Sequence, residues 1–163
     1  MDTYGAVVFL HATTILLFFI AHGASMAVAF RIKAENDPAR VRALLDLSRF
    51  ALGTPTIAVA VLGFVTGVLA GFMGGHWGRL WIWLSLVLFI AIAGAMTPLA
   101  SLRLQPIRTA AGMSTSGARP TEAGPEDPAE MRRLLDAWNP VPIGVVGLTG
   151  FVVILWLMLA QPF

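Results

Sequence analysis

Cysteine is absent from this 163-residue chain. A disulfide, a thiolate-bound zinc or iron–sulfur centre and covalent attachment of a c-type haem are excluded with it. Charge is scarce as well. Asp, Glu, Lys and Arg make up 12% of the residues, and none falls within Thr3 to Phe30, Phe50 to Gly78, Leu80 to Leu102 or Ala137 to Phe163. These uncharged runs are 28, 29, 23 and 27 residues long, each more than the roughly 20 residues that cross the hydrocarbon of a bilayer as a helix. With 57% hydrophobic residues and a mean hydropathy of +0.78, the chain carries more apolar surface than a soluble domain of this size can cover. The expectation is an all-α, four-transmembrane-helix bundle forming one membrane domain, with spans near residues 5–30, 54–73, 80–101 and 140–160.

Other chemistry is missing too. No nucleophile–base constellation, phosphate-cradling glycine loop or metalloprotease helix motif is present, which argues against hydrolysis and nucleotide chemistry. At membrane depth the spans hold no Asp, Glu, Lys, Arg, Asn or Gln, so they offer no carboxylate proton relay, no voltage sensor and few groups to line a permeation path. The net charge of +2 gives no reason to expect a nucleic-acid partner. The first apolar run follows Asp2 and not a basic segment, and it is too long for a signal-peptide core, so it is expected to stay as span one.

What charge there is lies mostly on one side. Arg31, Lys33, Arg40, Arg42 and Arg49 fall between spans one and two, and Arg103, Arg108, Arg119, Arg132 and Arg133 between spans three and four, leaving only Arg79 elsewhere. The positive-inside rule makes residues 31–53 and 102–139 cytoplasmic and puts both termini outside. Tyr4, Trp77, Trp81, Trp83 and Trp156 then sit near the outer interface and Trp138 near the inner one. A bacterial inner membrane, with the lipid bilayer as immediate partner, is the expected setting.

The two basic segments resemble each other. Asp37-Pro38-Ala39-Arg40-Val41-Arg42-Ala43-Leu44-Leu45-Asp46 aligns with Asp127-Pro128-Ala129-Glu130-Met131-Arg132-Arg133-Leu134-Leu135-Asp136, identical at seven of ten positions. Asp as N-cap and Pro as first helical residue predict a helix start in each copy. Met131, Leu134, Leu135 and Trp138, and less completely Val41, Leu44, Leu45 and Ser48, form apolar stripes suited to two interfacial helices on the membrane surface or to extending the next span. The repeat points to a duplicated helix–loop–helix hairpin whose halves run parallel. Gly53 is expected to end the first surface helix, Thr54-Pro55 to open span two and Asn139-Pro140 to open span four. Thr109 to Glu126 reads as a flexible linker, and Pro98 should loosen the inner end of span three.

Small residues mark close helix approach. Ala60, Gly63, Gly67 and Gly71 fall on one side of span two, and Gly144, Gly147 and Gly150 form a related surface on span four. Such stripes serve packing inside the bundle, or an interface to a second copy or a partner subunit.

Histidine supplies the remaining candidates for chemistry. His11 and His22 are separated by eleven residues, about 1100° of rotation and about 16 Å of rise, so they share a face of span one with Ile15, Phe18, Ser25 and Met26. Neutral imidazole can ligate haem iron or a transition metal, with a thioether as second ligand. Counted from the flanking charges, His22 and Met96 lie at similar depth and could hold haem b between helices one and three, or two copies of His22 could do so across a dimer axis. His11 could meet His76 or Met73 nearer the outer surface in a second haem site or a His/Met metal site. In the plainer alternative each membrane histidine hydrogen-bonds a carbonyl or hydroxyl between helices.

The Leu10-His11 pair, the Asp-Pro-Ala helix start, the run Arg133-Leu134-Leu135-Asp136-Ala137-Trp138 and the ending Leu157-Met158-Leu159-Ala160-Gln161-Pro162 together resemble a bacterial family of predicted four-span membrane proteins of unknown function. That family looks distantly similar to copper-resistance-D-like membrane domains and haem-dependent protoporphyrinogen oxidases, which also place a Leu-His near the start of span one. The resemblance implies a haem- or metal-ligand role for His11. The chain departs from the oxidase pattern in having no lysine in its later spans and no basic residue after a Leu-Pro pair in span one. Two functions are therefore expected to compete: a small membrane protein holding haem b or a metal for electron transfer or haem/copper handling, and a non-catalytic accessory or assembly subunit of a larger membrane complex.

Overall fold

The computed structural model describes residues 2–51, 54–114 and 124–163. Its helices are α1 (Thr3–Ala34), α2 (Pro38–Ala51), α3 (Thr54–Met73), α4 (Leu80–Met96), α5 (Leu102–Ala110), α6 (Pro128–Ala137) and α7 (Val141–Ala160), with no strand among the described residues. Thr3–Ala34, Thr56–Met73, Leu80–Ala110 and Val141–Ala160 are long and apolar enough to cross a membrane. A helix is what such sequences must form in lipid, where unpaired backbone groups have no water to bond. The chain is an all-α integral membrane protein with four spans. Their outer faces carry exposed apolar side chains such as Phe9, Leu16, Ile20, Phe72, Val87 and Leu159, the surface that hydrocarbon solvates.

The third span differs from the expected 80–101 boundary. Around Pro98 the helix widens into a π-turn over Thr97–Ser101 and then continues as α5 to Ala110, with Pro106 inside it. A wider turn accommodates the carbonyl that proline leaves without a donor. The segment expected as linker is correspondingly shorter: Thr109 and Ala110 are still helical, Ala110 and Ala111 are buried, and Asp127 N–H donates to the Ala110 carbonyl at 2.8 Å. Gly112, at φ 69°, makes the turn. Residues 115–123 and Gly53 lie outside the described residues.

The halves are built alike. Span α1 packs mainly on α3, and α4 on α7. Asp37 Oδ1 accepts from Ala39 N–H at the start of α2, and Asp127 Oδ1 from Glu130 N–H at the start of α6. Val41 and Leu45 are buried, and so are their counterparts Met131 and Leu135. The likeness extends into the spans: Gly63-Phe64-Val65 of α3 and Gly150-Phe151-Val152 of α7 are identical and lie at the same offset as Pro55 and Pro142.

The hydrophobic core sits at the basic end, where Ile32, Val41, Leu45, Leu104, Ile107, Met131, Leu135 and Trp138 form one cluster. The stripes of α2 and α6 are thus turned onto α1 and α5, and what they bury is protein. Polar bonds hold this end together. Lys33 Nζ donates to the Leu135 and Asp136 carbonyls at the C-terminus of α6, and Arg132 Nη1 donates to Glu35 O at 3.0 Å and Asn36 Oδ1 at 2.9 Å. Arg42 pairs with Glu126, Arg132 with Asp136 and Arg133 with Glu130.

Candidate functional site

Beyond this core, toward the middle of the spans, packing gives way to a cavity of about 490 Å³. All four spans line it. Phe19 stacks on Phe151 with ring centroids 4.4 Å apart, and Phe64 on Phe89 at 6.3 Å, so α1–α7 and α3–α4 are bridged by equivalent aromatic pairs along its wall. Its lining is almost wholly apolar. Ile57 and Val61 of α3 border it and are also exposed, while α3 and α4 make little direct contact among the described residues. The cavity therefore opens sideways, between these two spans, toward the lipid.

His22 is the titratable side chain on the cavity wall. Its ring rests against Gly147 of α7, where a Cβ would overlap Nε2, and that Nε2 is buried without a hydrogen-bond partner. Met96 borders the same cavity from the third span, so the fold brings His22 and Met96 to one space. Met26, one turn beyond His22, lies against Gly144.

His11 is placed differently. Its Nδ1–H donates to the Gly63 carbonyl of α3 at 2.8 Å, with Thr66 Oγ1 3.5 Å away, and its ring contacts the position a Cβ would take at Gly67, 2.8 Å from Cε1. Donation from Nδ1 fixes the neutral tautomer with the lone pair on Nε2. The small-residue side of α3 accordingly faces its own chain: Gly63 meets Thr14 and Ile15, Gly67 meets His11, Gly71 meets Ile82 and Trp77, and Ala60 borders the cavity.

His76 lies in the short 3-10 turn His76–Gly78, its Nε2 hydrogen-bonded to the Tyr4 hydroxyl at 3.2 Å and its ring near Trp81. Tyr4 and His11 are seven residues apart on α1, about 10 Å along the axis, and the structure gives the two histidines separate partners. Met73 ends α3 and is exposed. Among the described residues there is no group of three or more His, Cys, Asp or Glu that could hold a metal ion.

Three polar groups at the basic end of the cavity were not anticipated as site residues. Ser48 and Trp138 border it, and the Trp138 indole Nε1 is buried without a partner. Arg108, one turn beyond the cavity-lining Leu104, is 5% exposed; its Nη2 donates to Ser48 Oγ at 2.8 Å and its Nε has no partner. The repeat carried the available signal, because Ser48 and Trp138 close the equivalent stripes of α2 and α6.

A family described as "Predicted integral membrane protein (DUF2269)" matches residues 6–162. Neither the curated proteins nor the solved structures yield a match.

Proposed function

The chain belongs to the DUF2269 family of predicted integral membrane proteins, a description that specifies no activity, and we propose from the site itself that the central cavity binds haem b, which His22 and Met96 would hold from two of its walls. The observation that carries this reading is the buried, unpartnered His22 Nε2 beside a cavity that Met96 also lines. A buried imidazole nitrogen without a hydrogen bond is costly unless something else satisfies it.

The donor set suits the group. Neutral imidazole and thioether are haem-iron ligands, the wall is aromatic and aliphatic, and about 490 Å³ lies within the range of cofactor pockets, roughly 300–1,000 Å³. His22 would leave its rest against Gly147 and turn into the adjacent space. The phenylalanine pairs would exclude water, and the Nδ1 bond to Gly63 keeps His11 in a supporting place between α1 and α3. Haem bound there would supply a one-electron redox centre within the hydrocarbon zone, suited to electron transfer or haem handling in a bacterial inner membrane.

The test is a reduced-minus-oxidised spectrum of the detergent-purified protein, produced with ample haem, together with metal analysis. A b-type spectrum that is lost in His22→Ala and kept in His11→Ala is the expected result. A folded, colourless and metal-free protein overturns the proposal and favours an accessory role in a larger complex, to be pursued by co-purification.

A further inference from the structure

A second cavity, about 320 Å³, lies on another face of the α4–α5 helix, against the end of α6 and the start of α7. Leu99, Leu134, Pro142 and Trp138 give it apolar walls, and its polar side chains are Arg103 and Asn139. Each of these polar groups can donate. Asn139 uses its carboxamide oxygen to accept from Val141 N–H at 3.0 Å, leaving its amide nitrogen as donor. Among the described residues no acidic side chain lines the cavity.

Lys33, Arg42, Arg132 and Arg133 are engaged by carbonyls or carboxylates. Arg103, like Arg31, is an exposed cation without an ion pair among the described residues. It is also the first charge after the uncharged run Leu80 to Leu102, and Asn139 lies two residues before α7. The cavity is therefore at the boundary between hydrocarbon and headgroups. Exposed Leu102, Val141 and Val145 continue from it along the lipid-facing surface.

We propose that this second cavity seats the headgroup phosphate of an anionic phospholipid from the leaflet on the basic side. Arg103 pairs with the phosphate, and the Asn139 amide donates to its oxygens. The acyl chains run along Val141 and Val145. An anionic, acceptor-only head with an apolar tail is the complement of a donor-only pocket opening onto lipid. The proposal is independent of any ligand in the central cavity.

The test uses native mass spectrometry of the whole protein in mild detergent, supplied in turn with phosphatidylglycerol and phosphatidylcholine. Phosphatidylglycerol should be retained preferentially. Arg103→Gln should lower its retention about tenfold, as expected for a charge-assisted hydrogen bond, and Arg103→Lys should keep most of it. Arg31→Gln, which removes an exposed charge from the same end, should change little. Equal retention of phosphatidylcholine, or an Arg31→Gln loss as large as that of Arg103→Gln, overturns the proposal in favour of diffuse adsorption. Displacement of the lipid by millimolar inorganic phosphate also overturns it, by assigning the pocket to the free ion.

Discussion

A Cβ at Gly147 of α7 would overlap the Nε2 of His22 on α1, so the imidazole occupies the space that the missing side chain leaves. With the Phe19–Phe151 stack and the Met26–Gly144 contact, it forms the α1–α7 seam between the halves. Gly147→Ala must push the ring toward the cavity. Because the cavity has room for it, the cost should sit near the low end of overpacking, about 1 kcal/mol, read as a lowered melting temperature in detergent. Gly94→Ala is the control, since a Cβ there meets nothing within 4 Å; its melting temperature should not fall. Equal behaviour of the two variants would mean that the His22–Gly147 contact does not constrain the bundle.

The two span-one histidines should separate by stability. His11→Ala removes the bond from Nδ1–H to Gly63 O and the ring that packs on Gly67, and interhelical hydrogen bonds of this kind in lipid contribute about 0.6 kcal/mol, up to about 1.7. A void is added to that loss. His22→Leu gives up no hydrogen bond and replaces a buried orphan nitrogen with an apolar group, so the ligand-free protein should be as stable as the parent or more so. Thermal unfolding of the ligand-free variants decides the matter: if His22→Leu melts below His11→Ala, the Nε2 has a partner inside the folded chain.

Much of the architecture is legible in the sequence because lipid leaves few choices: a long uncharged run becomes a helix, and Asp-Pro marks where α2 and α6 begin. The role of Ala60, Gly63, Gly67 and Gly71 is less legible, because spacing reports that a helix approaches closely but not which one; here α1 lies against the glycines. Periodicity likewise marked the stripes of α2 and α6 as apolar without saying whether lipid or protein covers them. Depth counting put His22 and Met96 at one level, and both border the cavity. The same counting could not place His11 and His76, whose partners depend on how the turn after α3 folds back to Tyr4. Arg108 escaped notice because a residue in a charged segment reads as solvated. Continuation of the helix past Pro98 is what carries it into the core.

Arg108 itself yields a sharp contrast. Its guanidinium is buried and donates to Ser48 Oγ, whose own hydroxyl donates to the Leu45 carbonyl at 2.6 Å. Removing the acceptor alone, in Ser48→Ala, strands a buried charge and should destabilise by about 1–3 kcal/mol. Replacing the cation by an apolar side chain of similar length, in Arg108→Met, removes the need for that acceptor and should be close to neutral. A double-mutant cycle on melting temperatures reads the coupling. If Ser48→Ala is silent, the contact does not satisfy the arginine.

Acid should loosen the basic end before it affects the spans. A hydrogen bond from Arg133 holds the Glu130 carboxyl below its ordinary value, one from Arg132 does the same for Asp136, and the backbone N–H groups of Asp37 and Asn36 do so for Glu35. Each folded-state value is lowered. The stability these groups contribute is therefore present above the unfolded carboxylate range, about 4, and is lost as pH falls through the lowered values. Asp136 is exposed and Glu35 and Glu130 are half-exposed, so the effect is local and screened by salt. Amide exchange measured from neutral pH to about pH 3, after correction for its intrinsic pH dependence, should show α6 losing protection while α3 and α7 keep theirs. Glu130→Gln and Asp136→Asn together should remove most of that acid step. A step of unchanged size in the double variant would assign it to other carboxylates at this end, with the Arg42–Glu126 pair the next to remove.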